Sequence, residues 1–425
     1  MDEHIDGHIM DEHTTRAEAR IHWPGLRLPV TVLLDDPTPC RNPAWYEFPD
    51  QGHEAVVPNR FTEEFADLID RTGAAGKFSV VPCPGAQGRI DEGMPGVSDE
   101  EMAGFLRLAR ERIAPRWDIS PEMLTHNKAL DLATMRPIEE REDVWAARQD
   151  ERTLTPYIAR GLEILRNVGL EPNGVTSPWA FGQEVEKDYA RAIETALREV
   201  CGVRVGWYFL HIDSYSPLVP PRVARLDPAG ADGGTALVSI STAARQSGAG
   251  HYDFAWRTQF GEPDDIDALL TADGTGGRLA ELYANGSPLS FHTHWQSLFS
   301  NGSGTGLAAM GRLIERINGV WGERVRWTSA RELAYYTAAR AATHVAAHDE
   351  GRRLVLDAPF PCAEFTFTVP VPPGAATLAL DGAPLEHAPD DAAVLHEGSW
   401  RRDAGGAATV CVPLRHGAEL VWGRA

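Results

Sequence analysis

Two adjacent carboxylates, Asp35 and Asp36, follow a strongly apolar run that ends at Leu34. Adjacent residues on a strand point to opposite sides, so we expect the two acids to play different parts. One could ligate a metal while the other takes a proton from water. The alternative is that Asp35, Asp36 and Pro37 form only a turn, because Asp and Pro both favour turns.

A second candidate centre is the sequence SFHTHW at residues 290–295. His292 and His294 are two residues apart on a predicted strand, so both imidazoles face the same side. Two imidazoles placed in this way can hold one zinc ion. A polar loop containing Asn301 follows and lies at the C-terminal end of the strand. The alternative is one buried structural histidine and one histidine that faces solvent.

A third candidate is His126, which ends a strand-like run over residues 122–126. A single histidine is more often structural than a ligand. The functional interpretation of His126 depends on its place at a strand end, in line with the two other strand ends.

Several further residues could wall the pocket or support a ligand. Trp179 and Phe181 end another predicted strand, although both could instead pack in the core. Asp213 follows a later strand and could orient a ligand histidine. The predicted substrate-binding residues are Trp179, Phe181, Asp213, Trp295 and Asn301.

A loop with the sequence AARQSGAGHYDFAWR covers residues 243–257. Long loops in compact domains often act as lids. Arg245, His251 and Asp253 are its candidate polar residues, and the sequence does not indicate which of them matters.

The elements that must position these residues alternate along most of the chain. Short β-branched or aromatic runs are separated by longer amphipathic stretches with apolar residues at three- and four-residue spacing. The predicted strands cover residues 28–34, 76–81, 122–126, 174–177, 204–210, 236–241, 288–294 and 324–328. The predicted helices include residues 61–71, 99–113, 154–168, 185–200 and 307–320.

This alternation predicts a parallel sheet with crossover connections, and seven or eight such units predict a closed, distorted (β/α)7–8 barrel. The C-terminal strand ends of a parallel barrel line the active-site mouth, which would bring the candidate residues together. A doubly wound open sheet is the alternative. It lacks support because no glycine-rich phosphate-binding fingerprint follows the first strand.

The C-terminal part of the chain changes character. Strand-length runs rich in Val, Leu, Thr and Pro, separated by turn residues, predict a small antiparallel, sandwich-like β-domain over residues 350–425. The predicted organisation is a flexible tail over residues 1–22, the α/β barrel over residues 23–341 and this β-domain. We expect the β-domain to serve packing or oligomer contact rather than carbohydrate binding, so a homo-oligomer is a further expectation.

The overall composition limits the partners and the compartment. The chain has 40 Lys and Arg against 61 Asp and Glu, a net charge of −21, and no basic block, so we expect no nucleic acid and no anionic lipid partner. No apolar run approaches the roughly 18 residues that a membrane helix needs. Five scattered cysteines and an acidic N-terminus without a secretory pattern predict a cytoplasmic protein.

These motifs resemble those of the polysaccharide deacetylase (NodB-homology) superfamily of distorted α/β barrels. The sequence of residues 34–36 resembles the aspartate pair of the family's first strand. His126 stands where the family has a metal-binding histidine motif, and residues 292–294 resemble its late-strand histidine motif. Residues 177–182 resemble the family's pocket wall. The match covers roughly residues 26–340.

The resemblance implies a divalent metal, with zinc expected, and hydrolysis of an amide or ester on a sugar. Asp35 would be the general base, with Asp36 and His126 as ligands. The late histidines would supply a third ligand, which we assign to His292, and a general acid, which we assign to His294.

Three positions depart from the family's pattern, and one of them is Pro37, which stands where the family has a glycine after the aspartate pair. The family carries a second histidine four residues after the first, where this chain has Leu130, and its pocket-wall arginine is replaced by Ser177. His292 or His294 could replace the missing ligand and complete an Asp-His-His set around zinc.

The resulting hypothesis is a metal-dependent hydrolase acting on an acylated amino sugar or a related small polar or oligosaccharide substrate. One alternative is a glycoside hydrolase, lyase or epimerase on the same barrel, using carboxylate and histidine acid–base pairs. Another is a non-catalytic barrel that binds sugar.

Overall fold

The computed structural model describes residues 15–16, 19–39, 57–229, 234–243 and 253–424. The chain divides into two compact units. The larger unit runs from Leu28 to Ala338, apart from a short segment at residues 231–233, and contains the candidate site residues. The smaller unit combines the N-terminal residues up to Arg27 with the chain from Ala339 onward. Arg245 and His251, two of the three loop candidates, lie outside the described residues.

The strands and helices alternate in the larger unit, whereas the smaller unit is mostly strand. The strands are β1 (Thr15–Arg16), β2 (Arg20–Ile21), β3 (Leu28–Asp35), β4 (Gly76–Val80), β5 (Trp117–Pro121), β6 (Lys128–Asp131), β7 (Arg136–Arg141), β8 (Gly174–Thr176), β9 (Val205–Ile212), β10 (Arg222–Asp227), β11 (Thr235–Thr242), β12 (Leu289–His294), β13 (Val325–Trp327), β14 (His344–His348), β15 (Arg353–Asp357), β16 (Cys362–Pro370), β17 (Ala375–Leu380), β18 (Ala383–Pro384), β19 (Glu386–His387), β20 (Ser399–Arg402), β21 (Ala407–Leu414) and β22 (Ala418–Arg424).

The predicted helices are present with shifts of a few residues at their ends. Local capping explains several of these ends: Ser98 and Glu101 form a capping box at the start of α2, and Gly73 and Gly202 end α1 and α5 in the left-handed conformation. The helices are α1 (Asn59–Thr72), α2 (Asp99–Leu108), α3 (Glu142–Ala146), α4 (Glu151–Asn167), α5 (Glu186–Cys201), α6 (Ile266–Leu269), α7 (Arg278–Ala284), α8 (Trp295–Phe299), α9 (Thr305–Trp321) and α10 (Ala330–Ala342). None of the helices described is long and apolar enough to cross a membrane.

The parallel strands of the larger unit form two sheets rather than one closed sheet. The first has the order β12-β3-β4-β5, with β13 also paired with β3. The second has the order β10-β11-β9-β8, in which β10 is antiparallel. A separate two-stranded sheet joins β6 and β7.

Single contacts link the two sheets where a closed barrel would need continuous ladders. Isolated parallel bridges join Ile119 to Pro172 and Glu122 to Thr176. Beyond the end of β11, the backbone N–H of Ala243 donates to a carbonyl of β12. Among the described residues, the predicted closed barrel is therefore not present as one hydrogen-bonded sheet. One reason is that Pro172 has no N–H with which to extend the pairing.

The smaller unit contains two sheets, with strand orders β1-β14-β15-β22-β17-β18 and β19-β20-β21-β16-β2. Trp400 of the second sheet lies edge-on to Trp422 of the first, with ring centroids 5.2 Å apart. The predicted flexible tail needs correction, because β1 and β2 lie within it and pair with β14 and β16. Two-residue strands leave no periodic signal, and their partners lie more than 300 residues away in the sequence.

Candidate functional site

A pocket of about 230 Å³ lies where β3, β9 and β12 end. Four carboxylates and three imidazoles line it, together with aromatic side chains. The acidic and histidine residues of the pocket are Asp35, Asp36, Glu122, His126, Asp253, His292 and His294. The C-terminal strand ends thus bring together all five residues predicted for catalysis or metal binding, along with two that were not assigned.

The first strand delivers the two aspartates. Asp35 is the last residue of β3, and Asp36 follows with a left-handed φ of 65°. Such strained conformations cluster at functional sites when the surroundings hold them. Here the backbone N–H of Asp36 donates to Glu122 Oε2 at 2.6 Å, and Gln296 Nε2 donates to Asp36 Oδ2 at 2.9 Å. Only Oδ1 of Asp36 remains without a hydrogen bond among the described residues.

Asp35 forms an ion pair with Lys77 of β4, whose side chain is fully buried. The Nζ atom of Lys77 also donates to Ser79 Oγ at 2.5 Å and to Thr176 Oγ1 at 2.9 Å. Lys77 therefore provides a cation beside Asp35. Ser177 does not, since its Oγ bonds to the Tyr189 hydroxyl at 2.8 Å.

The sequence signal for Lys77 was a charged residue in the middle of the predicted strand GKFSV. Charged residues are almost never fully buried unless they are paired. The lysine could therefore have been recognised as the partner of a buried acid.

Asp36, Glu122 and His126 form the first group, cluster A, whose ligand atoms all lie within 4.8 Å of one another. His126 Nε2 lies 3.3 Å from Asp36 Oδ1 and 3.6 Å from Glu122 Oε1. Two atoms bound at about 2.1 Å to one ion are separated by roughly 3.0–3.4 Å. The Asp36–His126 separation fits a shared divalent cation, and the Glu122–His126 separation is slightly longer than this range. Asp36 and His126 are the two members of cluster A that were predicted from the sequence as metal ligands.

The third member of cluster A corrects the sequence analysis. Leu130, four residues after His126, is a buried residue of β6 at 5% exposure. Glu122, four residues before His126, supplies the carboxylate instead. Glu122 was not predicted because the resemblance implies a second ligand on the C-terminal side of His126, whereas Glu122 lies on its N-terminal side.

The carboxyl group of Glu122 is buried beside two other carboxylates, and a bound cation would neutralise this negative charge. Burial raises its pKa well above the usual range, and the neighbouring carboxylates of Asp36 and Asp35 raise it further. Lys77 opposes this effect but is already paired with Asp35. A buried carboxylate without a compensating charge is unfavourable by several kcal/mol or is protonated.

A loop, not the predicted strand, presents His126. The strand β5 ends at Pro121, and Met123 and His126 have φ values of 34° and 52°. The Glu142 carboxylate accepts hydrogen bonds from the backbone N–H groups of Leu124, Thr125 and His126 at 3.0, 3.1 and 3.0 Å. Burial raises the pKa of Glu142 to about 7, against the lowering effect of these bonds. One buried acid therefore fixes the loop that carries the histidine.

Asp253, His292 and His294 form the second group, cluster B. Asp253 Oδ1 contacts His292 Nε2, and Asp253 Oδ2 lies 3.0 Å from His294 Nδ1. The two histidines share a side of β12, as the sequence predicted. The structure places His292 in this group, apart from the Asp36–His126 pair with which it was expected to bind metal.

The Asp253 carboxylate determines which groups of cluster B carry a proton. Burial lowers the pKa of His294, but the carboxylates of Asp253, Asp36 and Asp35 outweigh burial and raise it to about 10. Burial acts to raise the pKa of Asp253, and the two histidines hold it well below its usual range. The pair therefore consists of a carboxylate and an imidazolium at neutral pH.

Aromatic side chains form the walls of the pocket. Trp179, with a φ of 49°, packs edge-on against His126 with ring centroids 4.4 Å apart, and the Arg141 guanidinium lies 4.6 Å from its ring. Trp256, which sequence reasoning missed, lies 5.2 Å from the His294 ring. Of the five predicted substrate-binding residues, only Trp179 lines this pocket.

The aromatic residues Phe181 and Trp295 belong to the core instead. Phe181 is fully buried, and its ring lies 6.1 Å from Tyr157 and 5.5 Å from Tyr189. Trp295 is likewise fully buried, among Phe61, Phe65 and Phe78. Both predictions failed because a core aromatic and a pocket aromatic look alike in sequence.

The polar residues Asp213 and Asn301 also do not line the pocket. The Asp213 carboxylate accepts hydrogen bonds from the backbone N–H groups of Tyr215 and Ser216, at 3.0 and 2.8 Å. It therefore shapes the turn after β9. Asn301 is exposed in a short 3-10 turn beyond α8, at a left-handed φ of 50°.

Neither a protein-family model nor a curated protein matches the chain. Among solved structures, it is similar to a protein of Mycobacterium smegmatis assigned as a polysaccharide deacetylase, with 16% identity and a TM-score of 0.43 over 75% of this chain and 93% of the other. A Parabacteroides distasonis protein assigned as a glycoside hydrolase/deacetylase has 9% identity and a TM-score of 0.39, over 82% of each chain.

An α-fucosidase of Thermotoga maritima is also similar, with 12% identity and a TM-score of 0.29 over 94% of this chain and 97% of the other. The similar solved structures therefore include a protein assigned as a polysaccharide deacetylase, one assigned as a glycoside hydrolase/deacetylase and an α-fucosidase. The reaction has to be inferred from the residues of the pocket.

Proposed function

We propose that this chain is a metal-dependent hydrolase of the polysaccharide-deacetylase type, which removes an acyl group from an amino sugar or a related small polar carbohydrate. The observation that supports this most is the composition of one pocket. It combines cluster A, an aspartate paired with a buried lysine, and an imidazolium held by a carboxylate.

Cluster A would hold the divalent ion through Asp36 Oδ1, Glu122 Oε1 and His126 Nε2. A divalent ion bound there would polarise the acyl carbonyl and make a water molecule more acidic. Zinc is the ion that the sequence analysis expects, and all three ligand types occur in zinc sites.

Asp35 would take the proton from the attacking water. Its ion pair with Lys77 places a positive charge beside the carboxylate and fixes its position at the end of β3. A base must be ionised before it can accept a proton, and a fixed position shortens the search for the reactive geometry.

His294 would donate a proton to the leaving amine. Its pKa of about 10 keeps the imidazolium protonated at neutral pH. Asp253 faces the Nδ1 atom at 3.0 Å, so Nε2 is the nitrogen that can serve the substrate. His292 contacts the same carboxylate and would fix Asp253 in place.

The size of the pocket favours a small group over a long polymer segment. Its volume of about 230 Å³ is below the roughly 300–1,000 Å³ of pockets that enclose drug-sized ligands. Trp179 and Trp256 offer apolar faces beside the two clusters. This suits an acyl group and one sugar ring.

We also propose that the two sheets of the larger unit form a distorted barrel closed by single bridges, and that the smaller unit serves packing or contact between copies. The barrel proposal is supported by the isolated bridges beside β8 and by the hydrogen bond from Ala243 to Ser290.

Acetate release tests the proposed function. The full chain, stripped of metal and then supplied with Zn²⁺, Mn²⁺ or Co²⁺, is incubated with N-acetylglucosamine oligomers and with small acetylated sugars. We expect metal-dependent acetate release, and a loss of about 10²–10⁴-fold for Asp35→Asn. Absence of release with every ion would reject the proposal, and release of reducing sugar instead would support the glycoside hydrolase alternative.

A further inference from the structure

We infer that Glu122 sets the metal preference of cluster A and shifts it from Zn²⁺ towards a harder divalent ion such as Mn²⁺. The inference rests on the proposed metal site and adds the residue that sets its preference among divalent ions. Three observations support it: which atoms of the cluster face one another, what charge they carry, and how far they are buried.

The atoms of cluster A that face one another are two oxygens and one nitrogen. Glu122 Oε2 accepts the backbone N–H of Asp36, which leaves Oε1 facing His126. Asp36 Oδ2 accepts a hydrogen bond from Gln296 Nε2, which leaves Oδ1 for a metal ion. His126 contributes its Nε2 atom. Each residue therefore offers a single atom, and two of the three are carboxylate oxygens.

The two carboxylates give cluster A a formal charge of −2. Lys77 is the cation beside them, but it contacts Asp35 rather than Asp36 or Glu122. Both acids of the cluster are 1% exposed, so water cannot screen them. One divalent ion neutralises the pair, whereas a set with one carboxylate and two imidazoles would leave a positive charge.

The type of donor decides which ion gains most. Carboxylate oxygens suit hard ions such as Mn²⁺ and Mg²⁺, whereas imidazole nitrogens suit Zn²⁺, Ni²⁺ and Cu²⁺. Zinc still binds more tightly than manganese to most sites of this kind. The oxygen of Glu122 should therefore reduce the difference in affinity between Zn²⁺ and Mn²⁺, and an imidazole at the same position should increase it.

The test measures dissociation constants for Zn²⁺ and Mn²⁺ on the full chain after chelator treatment, by equilibrium dialysis with elemental analysis. It compares the wild type with Glu122→His, Glu122→Gln and Asp118→Asn. Asp118 is a matched control, since it is a buried carboxylate on β5 that bonds to Asn173 and to a backbone N–H outside the pocket. Any binding at cluster B is common to all four proteins and is fitted as a second site.

We expect Glu122→His to raise the ratio of the Mn²⁺ constant to the Zn²⁺ constant at least about tenfold, and Glu122→Gln to weaken both ions about 10–100-fold. Asp118→Asn should leave both constants within about twofold. An unchanged ratio in a folded Glu122→His variant, or unchanged affinities in Glu122→Gln, would overturn the inference.

The acetate assay separates this inference from the proposed function. A chain that shows the expected ratios but releases no acetate contradicts the hydrolase proposal alone. A chain that releases acetate while Glu122→His leaves the ratio unchanged contradicts only the inference about Glu122.

Discussion

The Nζ atom of Lys77 contacts Oδ1 of Asp35, and the lysine side chain is fully buried. Such a pair costs free energy to desolvate, and removal of one partner leaves the other charge buried alone. We therefore expect Lys77→Met to lower the free energy of unfolding by about 3–5 kcal/mol, as measured by urea titration. It should also lower kcat more than it raises KM, because Asp35 loses its fixed position.

The double variant Lys77→Met/Asp35→Leu is the control for this pair. Removing both charges together should restore part of the stability that the single variant loses. If Lys77→Met alone is as stable as the wild type, the ion pair does not contribute to the stability of the fold as expected.

Asp253 holds the proton on His294, so Asp253→Asn should move the alkaline limit of the reaction. In the wild type His294 keeps its proton until the pH rises through about 10. Without the Asp253 carboxylate, burial is opposed only by Asp36 and Asp35, so the pKa of His294 falls. The pH profile of kcat should then fall at a lower pH than in the wild type. Asp213→Asn, which lies outside the pocket, should leave the profile unchanged.

Glu142 fixes the loop that carries His126 without lining the pocket itself. Glu142→Gln replaces one acceptor oxygen with an NH₂ group that faces backbone donors. We expect metal affinity to fall about tenfold, as when a supporting residue of a metal site is lost. Glu139→Gln is the matched control, since its side chain is 89% exposed and its pair with Lys128 is worth little. Equal affinities in the two variants would contradict this role.

His22 should make the smaller unit sensitive to mild acid. Burial, together with a smaller effect of nearby arginines, lowers its pKa from 6.5 to about 4, while Nε2 bonds to Thr368 Oγ1 at 2.7 Å. Because the folded pKa lies below the unfolded one, the neutral form favours the fold. Its contribution is complete above pH 6.5 and is lost as the pH falls towards 4.

Urea midpoints at pH 7.5 and 5 would test this expectation. The drop between the two pH values should be smaller in His22→Gln than in the wild type. The exposed His416→Gln provides the comparison, and a drop of the same size in all three proteins would contradict the prediction.

Two glycines of α9 should respond in opposite ways to alanine. A Cβ at Gly306 would lie 2.0 Å from the Ser297 carbonyl oxygen, whereas nothing lies within 4 Å of a Cβ at Gly319. We expect Gly306→Ala to be destabilised by more than about 2 kcal/mol, because α8 and α9 must separate. Gly319→Ala should be neutral or slightly stabilised, because alanine favours a helix interior. Thermal unfolding of both variants checks this.

The amino-acid sequence predicted the local features of this chain well. The apolar run of residues 28–34 and the amphipathic pattern of residues 185–200 correspond to β3 and α5. The shared side of His292 and His294 followed from the two-residue period of a strand. These features depend on neighbours within a few residues, so spacing alone can reveal them. Two further expectations from the sequence, zinc as the bound metal and a cytoplasmic location, stay predictions.

Only the tertiary structure determined which residues meet. Glu122 joins Asp36 across 86 residues of sequence, Lys77 reaches Asp35 from the next strand, and Asp253 contacts both histidines from a loop. No local period records such pairings, because they depend on strand order and on backbone conformations as unusual as the left-handed φ of Asp36. The chain's own spacing thus placed acids and histidines at strand ends, and long-range packing sorted them into two clusters.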